Sequence, residues 1–223
     1  MARGHLNRRD IVLAAIAYID TYGVQALTMR RLGSSLGVEA MALYRHVPGR
    51  EELISAAVSE LIDDLFDDDL MQETPTSWEG YLQSVANATR KLALGHPRIF
   101  PLMITQPPEA PWLRPPLRSI RWVDHFLSSL KSYGFTDSHA VDAYKAFTSF
   151  LLGNLLLQVS ALGVNAVPVS EGEGDHHGDE IEDLDDYPIV KQLRGRLSAD
   201  HSDREFDDGL DDLIERLRTA MNT

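Results

Sequence analysis

The sequence predicts an all-α protein: a three-helix N-terminal unit followed by a larger helical body. Two observations carry this. Apolar residues recur at three- and four-residue spacing along most of the 223-residue chain, and no stretch alternates apolar and polar as a half-buried strand does. The periodic segments are also bounded by helix punctuation, with Thr28 and Ser77 placed as N-caps and Gly37 and Gly134 as stops.

The elements follow in order. A first helix covers about Leu6 to Tyr22, capped at Asn7 with Asp10 three residues on, and Val12, Ala15, Ile16 and Ile19 form its buried stripe. Thr28 caps a second helix carrying Met29, Leu32 and Leu36, and Gly37 supplies the left-handed residue that ends it. A third helix, about Glu39 to His46, turns Leu43 and Val47 inward and Ala40, Met41, Tyr44 and Arg45 outward. Two short helices around a glycine turn form a helix-turn-helix, whose second helix can enter a DNA major groove. A fourth helix starts after Pro48-Gly49, with Glu51 and Glu52 in its first turn and Leu53, Ala57, Leu61 and Leu65 on its inner face. Residues 73–76 read as a linker. Ser77 then caps Trp78 to about Gly95, which buries Trp78, Leu82, Val85, Thr89 and Leu92, and a short turn spans Ile99 to Met103. Five prolines between Pro107 and Pro116 demand irregular loop. Helices follow over Leu117 to Tyr133, from a cap at Asp137 or Ser138 to about Leu162, from Pro188 for a short stretch, and over Arg204 to Met221. The boundaries place a DNA-binding unit at 1–48, a connecting helix at 49–66, and a ligand-binding and dimerisation body at 67–223.

The formal net charge is −13, which on its face disfavours nucleic acid. The distribution reverses that reading. Residues 1–50 hold seven arginines against Asp10, Asp20 and Glu39, a surplus of +4, so the rest carries −17. A basic unit on an acidic body fits phosphate contact by one face only. There is no cysteine, which excludes disulfides, thiolate metal sites and cysteine nucleophiles and suits a cytoplasmic protein. Ile11–Ile19 follows three arginines like a signal-peptide core, but Asp10 and Asp20 bracket it and no small-residue cleavage site follows. Ala146–Ser170 is uncharged and long enough to span a bilayer, yet its polar residues, glycines and Pro168 point to a buried helix serving two interfaces. No membrane association is expected.

Residues 27–53, LTMRRLGSSLGVEAMALYRHVPGREEL, resemble the DNA-binding signature of the tetracycline-repressor family of bacterial transcription regulators. Gly33 stands where that family usually has alanine, which predicts a slightly loosened helix, since glycine costs about 0.5–1 kcal/mol there. The resemblance implies DNA contacts from Thr28, Arg30, Ala40, Met41, Ala42, Tyr44, Arg45 and His46. Arg30 suits bidentate reading of a guanine, and Ala40, Met41 and Ala42 suit packing on thymine methyls. Tyr44, His46 and Arg50 suit phosphates. A packing role for His46 and a solvated one for Arg45 remain open alternatives.

SWEGYL, AFTSFLLGNLLLQ and FDDGLDDLIERL, in that order and spacing, resemble the ligand-binding domain of the tetracycline-binding members of the family. Those members hold drug and magnesium through histidines, an asparagine, a phenylalanine and a glutamate. The corresponding places here hold Phe66, Val85, Thr89, Pro101 and Leu157, which leaves no imidazole or carboxylate for a magnesium chelate. A flat, apolar or aromatic effector is expected instead, among Phe66, Val85, Thr89, Phe100, Met103, Trp112, Phe126, Leu151, Asn154 and Leu155, with Trp78 and Gln158 near them. Each of these also suits an ordinary core position.

Glu171–Asp186 contains nine acidic residues and His176-His177, a conceivable metal site but more simply a solvated loop. No nucleophile elbow, phosphate loop or zinc-protease motif is present, and no enzyme activity, cofactor or metal is expected. The resulting expectation is a homodimeric repressor that binds a palindromic double-stranded operator and is released by a small-molecule effector. The alternatives are an activator or effector-independent DNA binder on the same fold, and a metal-responsive protein using 171–186.

Overall fold

A computed structural model describes residues 6–72, 75–105, 110, 112–115, 119–162 and 184–221. Among these no strand occurs, and the chain is all-α. The helices are α1 (Arg8–Tyr22), α2 (Met29–Ser35), α3 (Ala40–Tyr44), α4 (Arg50–Asp67), a single turn α5 (Asp69–Gln72), α6 (Trp78–Gly95), α7 (Phe100–Thr105), α8 (Ile120–Ser132), α9 (Asp137–Ala161), α10 (Pro188–Leu197) and α11 (Ser202–Met221).

Local chemistry sets the N-terminal boundaries. Asn7 and Asp10 form a reciprocal capping box on α1, and the Thr28 hydroxyl accepts from the Arg31 amide at 3.1 Å. Gly37 takes φ 68°, so the chain turns sharply between α2 and α3. Gly33 has a different cause from the one its helix propensity suggests. A Cβ there would lie 2.9 Å from the Val38 carbonyl oxygen, so glycine lets α3 sit close against α2 instead of loosening the helix. Ile11, Ile16, Leu27, Leu32, Leu43, Val47 and Leu53 close the core of this unit.

The start of α8 differs from its expected place. Residues 117 and 118 lie outside the described residues, and Ser119 is the N-cap, accepting from the Trp122 amide at 3.2 Å. The cap of α9 is Thr136, not Asp137 or Ser138, because the Thr136 hydroxyl accepts from the His139 amide at 3.2 Å. Asp137 is the first helical residue and pairs with Lys131.

The body packs α8, α6 and α11 around α9. Its centre is aromatic: Phe126 is fully buried and stacks on Trp122 and Phe147 at 5.2 and 5.4 Å between ring centroids. α11 lies close on α9, since a Cβ at Gly209 would meet the Phe150 ring at 2.8 Å. α4 joins the two parts, packing on α1 at one end and on α6 and α7 at the other. No helix among the described residues is long and apolar enough to cross a membrane.

Candidate DNA-binding face and ligand cavity

The α2–turn–α3 unit exposes one polar face. Leu43 and Val47 turn inward, while Met41, Tyr44 and Arg45 point to solvent and Ala40, Ala42 and His46 are half-buried. Thr28 and Arg30 are exposed on the adjoining end of α2. The Thr28 hydroxyl oxygen is engaged by the Arg31 amide, which leaves its hydrogen free to donate to a phosphate.

The arginines divide by their partners. Arg8 and Arg9 face Glu52 and Glu60 on α4 at 3.9 and 2.8 Å, and an Arg31 nitrogen donates to the Ala26 carbonyl. Arg50, expected at a phosphate, is turned inward. Its guanidinium donates to the Leu27 and Val24 carbonyls, both at 2.8 Å, and pairs with Glu51 at 2.7 Å. It fastens the start of α4 to the turn before α2, whose Val24 carbonyl also accepts the Leu27 amide at 3.2 Å. Arg30 and Arg45 make no ion pair among the described residues and are the cations available on the exposed face.

A second contact joins the two parts at the far end of α1. His96 Nδ1 lies 2.6 Å from Asp20 Oδ2, and Arg98 donates to the Thr21 and Asp20 carbonyls. The hydrogen bond to Asp20 raises the His96 pKa above its ordinary value against an opposing desolvation effect, and the nearby Asp64 adds to the rise.

The body contains an apolar cavity of about 50 Å³. Ile62 and Leu65 of α4 form one wall. Thr89, Phe100, Met103, Ile104, Ser119, Trp122, Thr148, Leu151 and Leu152 form the rest. Its side-chain polar groups are three hydroxyls and the Trp122 indole N–H, and no ionisable side chain lines it. Burial pushes the neighbouring phenols Tyr81 and Tyr144 up to about 12, and the Tyr144 hydroxyl donates to the Pro115 carbonyl.

Of the residues expected at the ligand, Thr89, Phe100, Met103 and Leu151 line this cavity. Val85, Phe126 and Leu155 do not; they are wholly buried in helix packing away from it. Phe66 lies outside it, under the Arg121 guanidinium at 4.6 Å and edge-on to His125. Asn154 is spent on Gln158, which also donates to the Ser202 carbonyl at the start of α11. Trp112 is 77% exposed, because Ala110 and Leu113 take the buried positions of that segment. Sequence reasoning missed Ile62, Leu65, Ile104, Ser119, Trp122, Thr148 and Leu152. Thr148 had a readable signal, a hydroxyl beside Ser149 within the apolar run AFTSFLL. The acidic run lies outside the described residues except for 184–186, and no cluster of metal ligands occurs among the described ones.

A helix-turn-helix unit tied through one helix to a body with a small apolar cavity has the architecture of a DNA-binding regulator. Comparison with known proteins agrees. Residues 11–57 match the model of bacterial regulatory proteins of the tetR family, and residues 72–221 match the tetracyclin repressor-like C-terminal domain. The chain belongs to the tetR family of bacterial regulatory proteins; it is a DNA-binding transcription regulator, not an enzyme. It is 28% identical to the transcriptional repressor DrrR1 of Streptomyces coeruleorubidus over 148 residues, 64% of this chain but only half of that protein's length. It is 25% identical to the class D tetracycline repressor of Escherichia coli, over 99% of this chain and 92% of that one. The crystal structure of TetR from Acinetobacter baumannii AYE shares the fold, with a TM-score of 0.72 at 21% identity, over 97% of this chain and 99% of that one.

Proposed function

We propose that this chain is a homodimeric, cytoplasmic transcriptional repressor that binds a palindromic operator and is released by a small apolar or aromatic ligand. Residues 1–48 read the DNA, 49–66 connect, and 67–223 hold the ligand and the partner. The observation that carries the reading is the shared wall: Ile62 and Leu65 line the cavity, and the same helix, through Arg50, Glu52 and Glu60, grips the DNA-binding unit. A ligand that widens the cavity on the Ile62–Leu65 side shifts α4, and the unit fastened to α4 shifts with it. The ligand shifts operator affinity only by its differential affinity for the two settings of α4.

The relatives' names support repression, and the residues narrow the effector. Phe66, Val85, Thr89, Pro101 and Leu157 stand where magnesium–tetracycline binders carry imidazole, amide and carboxylate, and Leu157 is 74% exposed. Arg30 reads base edges, Ala40, Met41 and Ala42 pack on them, and Tyr44, Arg45, His46 and Thr28 hold the backbone. The dimer forms along α9 and α11. α9 buries Tyr144, Phe147, Leu151 and Leu155 within its own body yet leaves Leu157 74% exposed, on a face that a four-helix bundle would cover.

The test begins with selection of the operator from random DNA. Release of the selected operator by tetracycline with magnesium at micromolar drug, reversed by a chelator, contradicts the reading. Release by a neutral aromatic compound, abolished by a bulky substitution such as Leu151→Trp, supports it.

A further inference from the structure

We infer that the ligand of the cavity is an uncharged, largely apolar molecule carrying one hydrogen-bonding group, and that Thr148 holds that group. This rests on the cavity being the effector site and narrows what the site accepts.

The Thr148 hydroxyl carries the inference. Thr148 is 2% exposed, and its Oγ1 has no hydrogen-bond partner. A threonine inside a helix has a ready acceptor in the carbonyl four residues back. Hydroxyls elsewhere in this chain take it: Thr89 donates to the Val85 carbonyl at 2.8 Å, Thr105 to Pro101 at 3.0 Å and Ser160 to Leu156 at 2.7 Å. Thr148 forgoes it and stands in the cavity wall. A buried hydroxyl without a partner is unfavourable, so one kept in the wall of a cavity points to a partner that arrives with the ligand.

The rest of the wall limits that partner. No Asp, Glu, Lys, Arg or His lines the cavity, so a charged ligand would lose its hydration and meet no counter-charge. The Trp122 indole N–H can only donate, and the other two hydroxyls are partly used. Thr89 has given its hydrogen to Val85, and Ser119 Oγ accepts from the Trp122 amide. Thr148 alone has its hydrogen and both lone pairs unused, and a hydroxyl can rotate to meet either a carbonyl or a phenol. Phe100 and Trp122 in the wall give the space an aromatic lining that suits a ring.

Three probes on one ring skeleton test this by calorimetry: naphthalene, 2-naphthol and 2-naphthoate. The full-length protein is expected to bind 2-naphthol about tenfold tighter than naphthalene, and 2-naphthoate not at all at the same concentrations. Thr148→Val keeps the shape and removes the hydroxyl. It is expected to weaken 2-naphthol about tenfold, to leave naphthalene unchanged, and not to lower the melting temperature, because it removes an unpaired buried group. Thr148→Ser restores the preference. Binding of naphthalene and 2-naphthol with equal affinity, or an undiminished 2-naphthol preference in Thr148→Val, overturns the Thr148 assignment while the cavity stands as a ligand site. Tight 2-naphthoate binding overturns the uncharged class. Binding of none of the three overturns the cavity reading and the inference together.

Discussion

Arg30 and Arg50 sit 20 positions apart in a unit that carries most of the chain's basic surplus, and their surroundings give them opposite roles. Arg30 is exposed and without an ion pair, while Arg50 is held by two carbonyls and a carboxylate. Arg30→Ala is expected to cost ~1–3 kcal/mol of operator binding and to relax preference at one base pair. Fluorescence anisotropy on the operator and its point variants reads this out; unchanged affinity for every sequence contradicts it. Arg50→Met is expected to lower unfolding stability by about 1–3 kcal/mol in urea while leaving the salt dependence of DNA binding unchanged. Loss of one phosphate contact would instead lower that slope by about one. His96 behaves differently again. Its pKa is raised by Asp20, helped by Asp64, with Arg98 fastened to the carbonyls beside it. A raised value means the contact stabilises the fold fully below the ordinary histidine value of about 6.5 and loses that contribution as pH rises through the folded-state value. The melting temperature is expected to fall across that window more steeply in the native protein than in His96→Asn, and parallel curves contradict the assignment.

At the level of elements, caps and stripes were legible and tertiary tuning was not. Asn7, Thr28 and Ser77 cap their helices as read, because capping depends only on neighbours a few residues away. Ser119 and Thr136 were missed because nearby serines, threonines and prolines offered several equivalent starts. The cavity was legible as a type of site but not residue by residue. Val85 and Thr89 share one apolar periodicity on α6, and only the crossing of helices decides that Thr89 meets the cavity while Val85, like Phe126 on α8, is buried away from it. Gly33 makes the same point with a sign change. Helix propensity alone predicts that Gly33→Ala stabilises by about 0.5–1 kcal/mol. The Val38 oxygen at 2.9 Å from the added Cβ predicts a loss of about 1–3 kcal/mol, readable by chemical denaturation, and a gain would show that α3 can shift away.

Across the whole molecule, the acidic body and the basic head give DNA one face to approach, and the proposed dimer uses α9, where Leu157 is exposed, together with α11. Leu157→Asp is expected to give a monomer by light scattering and to weaken operator binding, because two half-sites are no longer engaged together. A native protein that is monomeric at micromolar concentration and still binds a palindrome tightly contradicts the dimer. Paired recognition helices on one face of B-DNA stand roughly 34–36 Å apart, or a multiple of that, so in the proposed dimer a change in the setting of α4 would reach the operator as a change in spacing. The chain has no cysteine, so a single Gln25→Cys spin label reports that spacing without background. The most direct test is the label-to-label distance in the dimer, measured by double electron–electron resonance with and without a cavity ligand that releases the operator. A shifted distance on ligand binding, lost when Leu151→Trp fills the cavity, is the predicted result; a distance unmoved by a ligand that still releases DNA would contradict transmission through α4.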